Sequence, residues 1–191
     1  MSQNKIMAYN DKHNRNPNHK IDQGITLLEL MACLSMIIVM YFLSIPFFNK
    51  IAAQLEAKNI SSLIQQQLHL ARNQAFISNQ DLIICASNNL IHCDQQQWAQ
   101  GLIVYIDRNK DRQLNKNEHI ISHLEMNIKY GTFNWYGNST HKTQIVFQSD
   151  TGLPRGSNGR FRYCSQINPH LSFDLILNQM GHLSHIPTKA C

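Results

Sequence analysis

The sequence predicts an α+β fold: a long N-terminal helix, transmembrane in its first half, whose second half packs on a small antiparallel β-sheet domain. Three observations predict it. A largely apolar run covers residues 25–48, a helical period of apolar residues carries it on to about residue 76, and short β-rich segments fill the rest of the 191-residue chain. One apolar helix face laid over a sheet is a stable two-layer solution for that order of elements.

The apolar run comes first. About 20 apolar residues at 1.5 Å rise span a bilayer core, so residues 25–48 are long enough to cross. A secretory signal peptide has an apolar core of only about 7–15 residues with its cleavage site behind it; here the small residue at the boundary, Gly24, stands in front. A single carboxylate, Glu29, lies five residues into the run. An ionised carboxylate in hydrocarbon costs ~2.5–3.5 kcal/mol on insertion scales and marks a functional site. A plain anchor accounts for the length of the run but for neither Glu29 nor Gly24. In the polar leader, residues 1–24, Lys5, Lys12, Arg15 and Lys20 outnumber Asp11 and Asp22. The positive-inside rule then keeps the leader cytoplasmic and exports everything after Phe48. Met1 and Met7 are both candidate starts.

Residues 49–78 form the amphipathic half of the helix. Ile60, Leu63, Ile64, Leu68, Ala71 and Ala75 recur at steps of three and four, and Gln65, Gln66, His69, Arg72 and Asn73 fall on other faces. Pro46 marks a soft spot between the two halves. After Ser78 the period changes. Residues 81–85, 90–93, 101–107, 119–125, 127–134, 144–148, 159–164 and 171–177 are short runs rich in Ile, Val, Phe and Tyr, separated by Asn, Gly, Asp and Ser. They predict a meandering antiparallel sheet, or two small sheets, in a domain over residues 79–191.

Charge is mildly basic after Phe48, with thirteen Lys and Arg against nine Asp and Glu. That excess demands no nucleic-acid partner by itself, so the placement of the cations decides. Cys33 lies in the membrane segment, whereas Cys85, Cys93, Cys164 and Cys191 are exported to an oxidising compartment. Four cysteines allow three pairings. The favoured one joins Cys85 to Cys93, stapling two short neighbouring strands, and Cys164 to Cys191, tying down the C-terminus. Zinc is the alternative, but the Cys-x7-Cys spacing is wrong for a knuckle.

Two segments carry candidate chemistry. Residues 107–118 read Asp-Arg-Asn-Lys-Asp-Arg-Gln-Leu-Asn-Lys-Asn-Glu, with oxygen donors at positions one, three, five, nine and twelve of an EF-hand-like loop. Position six is Arg112 rather than glycine, the flanks read as strands and four cations crowd the loop, so a polar hairpin turn held by Asx bonds is the favoured reading over calcium; no metal site is assigned. Residues 155–162 read Arg-Gly-Ser-Asn-Gly-Arg-Phe-Arg. Arginine forks suit phosphate. In a strand Arg160 and Arg162 share one face and Phe161 points to the core. The bland reading is a solvated edge strand, since charge blunts sheet edges against aggregation. The histidines show no metal spacing, Asp150 and Asp174 form no credible acid–base pair, and no nucleotide loop or nucleophile motif occurs. The chain reads as no enzyme and needs no cofactor.

Gly24-Ile25-Thr26-Leu27-Leu28-Glu29 resembles the processing site of type IV prepilins and type II secretion pseudopilins. The resemblance implies peptidase cleavage after Gly24, methylation of the new N-terminus at Ile25, where the family usually has Phe, and pairing of Glu29 with that terminus on a neighbouring subunit. Pro46 falls where many pilins place a helix-kinking proline. Further on, Cys85, Cys93, Trp98, the Gly101-led apolar strand, Asp107-Arg108-Asn109 and Glu118, followed by Phe147, Gly152, Gly159 and Cys164, resemble the FimT/GspH family in order. That implies a minor pilin or pseudopilin fold, with other pilins, the prepilin peptidase and the inner membrane as partners. In FimT-type minor pilins a Gly-Arg-x-Arg in this region is associated with DNA binding in natural transformation. Here it maps to Gly159, Arg160 and Arg162, with Arg155 nearby. Two functions follow: a type IV minor pilin that holds double-stranded DNA, or a GspH-like pseudopilin of type II secretion that needs no nucleic acid.

Overall fold

The structure is a computed structural model and describes residues 25–138 and 142–191. The leader, with its charged residues and Gly24, lies outside the described residues. The chain divides between Tyr41 and Phe42 into two units.

In the first unit the helix α1 (Leu27–Ser78) begins. Thr26 precedes it, and its Oγ1 accepts a hydrogen bond from the Glu29 amide at 3.3 Å, an N-cap that satisfies one of the first-turn donors. Thr26-x-x-Glu29 therefore also has the spacing of a capping box, and the carboxylate sits at the positive end of the helix. The apolar side chains from Leu27 to Tyr41 are exposed. By length and hydropathy α1 can cross a membrane.

In the second unit α1 runs to Ser78, with Pro46 inside the helix. It buries Ala53, Ala57, Ile60, Ile64, Gln67, Leu68, Ala71 and Ala75. The small alanines let strands approach the helix closely. Leu63, expected on this stripe, is only half-buried and Gln67 takes the place. At 3.6 residues per turn position 63 drifts off the line through 60, 64, 67 and 71.

Among the described residues, eight strands form two antiparallel four-stranded sheets. One has the order β3 (Ile120–Glu125), β2 (Gly101–Asp107), β1 (Asp81–Ala86), β5 (Gln144–Phe147); the other has the order β4 (Gly131–Gly137), β6 (Gly159–Ser165), β7 (Phe173–Leu177), β8 (Leu183–Pro187). Strands β1 and β2 are covered on both faces. Leu82, Ile84, Leu102, Val104 and Ile106 join the helix in the main core, and Ile83, Cys85, Ile103, Tyr105 and Val146 form a second cluster with Leu114 and Ile120. Two-sided burial explains why these strands read as continuous apolar runs rather than as alternation. The second sheet sends Phe133, Trp135, Phe161, Tyr163, Phe173, Leu175 and Leu177 into the main core. The Phe161 ring lies 4.6 Å from Trp135 and 5.3 Å from Trp98 between centroids.

Glu56 on α1 ties the helix to this sheet. Its carboxylate accepts from the Lys129 amide at 2.8 Å, the Tyr130 amide at 3.1 Å and the Tyr163 hydroxyl at 2.9 Å. Burial and the neighbouring Glu56 carboxylate push the Tyr163 hydroxyl well above its ordinary range.

Disulfides join Cys85 to Cys93 and Cys164 to Cys191, and Cys33 is free. The first bridge does not staple two strands, because residues 90–93 form a loop. There the Ser87 hydroxyl accepts from the Leu90 amide and donates to the His92 carbonyl, and Leu90 takes a φ of 59°, so local bonds replace a ladder. Strand β4 starts at Gly131 rather than 127, and residues 169–171 form a 3-10 turn with an Asn168 cap before β7. Strand β8 lies in a tail where the sequence suggests no strand.

Candidate nucleic-acid interface

Strand β6 carries Arg160 and Arg162, and it pairs with β4 on one side and β7 on the other. The edge-strand reading is therefore wrong: β6 is interior, and its arginines cannot be there to protect an open edge. Alternation holds. Phe161 and Tyr163 point into the core, and the two arginines stand on the opposite face. Register puts Tyr136 and Ile176 on either side of Arg160, and Asn134 and Asp174 on either side of Arg162.

The two arginines differ sharply. Arg162 is only 17% exposed and donates to both Asp174 carboxylate oxygens, from Nε and Nη2, each at 2.8 Å. Its remaining Nη1 donates to the Ala190 carbonyl at 2.8 Å, beside the disulfide that holds Cys191. A bidentate fork with its third edge also occupied holds the C-terminal tail rather than a ligand. The two arginines share one face as expected, but Arg162 on that face is largely covered and engaged. Arg160 is 48% exposed and reaches the same carboxylate only at 3.9 Å. Both guanidinium carbons lie 5.8 Å from the Tyr136 ring centroid, a cation–π distance. Hydrogen bonding from Arg162 holds the Asp174 carboxyl below the usual carboxylate range, against its own desolvation.

Gly159 matters for a packing reason. A Cβ there would come within 2.5 Å of the Tyr136 carbonyl oxygen and 2.7 Å of the Trp135 ring. The missing side chain lets β4 and its buried tryptophan close on β6, which is a packing reason for glycine at this position. Arg155 lies in the preceding loop, exposed, and pairs with Asp150 at 3.2 Å. Ser157 anchors that loop: its hydroxyl accepts from the Val146 amide at 3.0 Å.

Sequence reasoning brings Arg160 and Arg162 to one face and misses Asp174, which comes from the next strand, and Tyr136, which comes from the previous one. Strand alternation through Phe173-Asp174-Leu175 was the available signal that Asp174 faces outward. The resulting surface offers one available guanidinium beside an aromatic ring, flanked by the Asn138–Asn158 side-chain hydrogen bond at 3.2 Å. It can contact a phosphate, and among the described residues no helix stands on this face to enter a groove.

Comparison with known proteins adds the family. Residues 61–181 match the family described as Type II transport protein GspH. No curated protein matches the chain significantly. Among solved structures, the chain is similar to the type IV minor pilin FimU of Pseudomonas aeruginosa strain PAO1 in two crystal forms. One has 15% identity and a TM-score of 0.45 over 76% of this chain and 95% of that one. The other has 15% identity and a TM-score of 0.46 over 70% and 92%. With more than half its length covered by the family match, and the Trp98, Gly101 and Glu118 features in the expected order, this chain belongs to the GspH family of minor pilins and pseudopilins.

Proposed function

We propose that the chain is a minor pilin of a type IV pilus, and that its exported domain holds DNA weakly and without sequence preference during uptake. It is anchored by residues 25–48 in the bacterial inner membrane, with the β-rich domain periplasmic. The observation that carries the DNA reading is Arg160, half-exposed on an interior strand and backed by Tyr136. Each neutralised phosphate contributes about −0.9 to the slope of log affinity against log salt. With Arg162 engaged by Asp174 and Arg155 by Asp150, a slope near −1 to −2 is expected.

The test is a salt-dependent titration of double-stranded DNA against the purified chain in detergent. Micromolar-range binding at low salt, lost in Arg160→Gln, supports the reading; equal binding by that variant sinks it. Maturation is read from the intact mass of membrane-extracted protein. The mature chain should begin at methylated Ile25, Gly24→Val should remain uncut, and Glu29→Ala should be cut but enter filaments poorly. A different mature N-terminus counts against the pilin processing scheme.

The second reading is a GspH-like pseudopilin of a type II secretion system. It is favoured by Asp174, which engages Arg162 and so offsets one of the two charges of the β6 face. A parent protein that binds no DNA even at low salt makes it the better one.

A further inference from the structure

The second charged cluster lies at the end of β2. In the loop between β2 and β3, one oxygen each of Asp107, Asp111 and Glu118 lie within 4.8 Å of one another. Asp107 is 2% exposed. Its Oδ2 accepts from the Arg112 amide at 3.0 Å, while its Oδ1 is buried with no hydrogen-bond partner. Glu118 repeats the pattern: Oε2 accepts from the Asn115 amide at 3.0 Å, and Oε1 is buried without a partner in hydrogen-bonding geometry. Two carboxylate oxygens buried without a partner are costly to leave unmatched.

An independent side chain makes the same demand. Tyr105 is 0% exposed, stands on the same face of β2 as Asp107, and its hydroxyl has no partner. The cations that crowd this segment in sequence do not relieve it. Arg108, Lys110, Arg112 and Lys116 are exposed, and no ion pair joins them to these acids among the described residues.

We infer that Asp107, Asp111 and Glu118 form a calcium site. A hard divalent cation takes oxygen ligands at about 2.3–2.6 Å, so ligand oxygens on opposite sides lie up to about 5 Å apart, a span that contains the observed cluster. The cation supplies the partner that Asp107 Oδ1 and Glu118 Oε1 lack, and a water bound to it supplies one for the Tyr105 hydroxyl. Arg112, at the place where an EF-hand has glycine, nevertheless takes the left-handed φ of 61° that the sharp turn requires.

The full chain in detergent, stripped with chelator, is titrated with calcium chloride by calorimetry and followed by thermal unfolding, with magnesium chloride in parallel. One calcium per chain is expected, with Kd about 10⁻⁴–10⁻³ M. At ten times Kd the Tm should rise about 3–6 °C. Glu118→Gln keeps an acceptor for the Asn115 amide, and Asp111→Asn changes an exposed side chain, so both should fold and weaken binding about tenfold or more. No calcium heat and no Tm shift in the parent would overturn the inference and leave a proton shared by Asp107 and Glu118 as the account of the cluster. Undiminished binding by both variants would overturn it too, placing the ion elsewhere.

Discussion

The outward face of β6 and the loop between β2 and β3 carry opposite charges and handle them in opposite ways. On β6, arginines with no acid nearby in sequence meet Asp174, which is 12 residues away from Arg162 along the chain and directly across the ladder. In the loop, acids interleaved with four basic residues turn toward one another, and the cations turn out to water. The lesson concerns geometry. In a strand, a charge is compensated by what the register places beside it; in a tight turn, backbone amides gather carboxylates whatever stands between them.

Breaking the support of the arginine face should have the largest effect. Cys164→Ser with Cys191→Ser frees the tail that Arg162 also holds, and should lower stability by about 2–4 kcal/mol in denaturant unfolding. Arg162→Gln comes next, with a loss of about 1.5–3 kcal/mol, because a part-buried carboxylate loses its bidentate partner. Arg160→Gln should change stability by only about 0.5 kcal/mol while removing most DNA binding and flattening the salt slope by about 0.9. If Arg162→Gln proves the DNA-defective but stable variant, the division of labour between the two arginines is reversed. The loop should respond with the opposite sign: in calcium-free protein Glu118→Gln removes a repelling charge and should be neutral or stabilising by about 0.5 kcal/mol.

Acid separates the two regions more finely. Glu118 has a raised carboxyl, so it binds its proton more tightly folded than unfolded. In calcium-free protein its contribution grows more favourable as pH falls from neutral through that raised value. Asp174 has a lowered carboxyl, so its contribution is present above the ordinary carboxylate range and is lost as pH falls below that range through the lowered value. Unfolding curves of Glu118→Gln and Asp174→Asn against the parent, measured across pH 3–7, should lose these two slopes separately. The smallest effect is expected at the exposed Arg155–Asp150 pair, where Arg155→Gln should change stability by about 0.2 kcal/mol or less.

Much of the molecule is legible in the sequence, and the reasons are local. The membrane-length run, the period of the helix to Ser78, the β-rich remainder and the inward Phe161 follow from hydropathy and from periods of 3.6 and 2.0. Both disulfides match the pairing favoured among the three that four cysteines allow, although residues 90–93 form a loop and not the expected strand. The order of Trp98, Gly101 and Glu118 carries the resemblance to a family whose model matches residues 61–181. What the tertiary structure alone decides is which strands become neighbours. Only the order β4, β6, β7, β8 makes β6 interior, lays Tyr136 beside Arg160 and delivers Asp174 to Arg162. Only the packing of β2 under its loop buries Asp107 and Tyr105 with unmet oxygens. A periodic pattern reports which face of an element is buried. Strand order and loop closure are set by long-range burial, which no local pattern encodes, and those two choices fix where charge is cancelled and where it is left waiting for a partner.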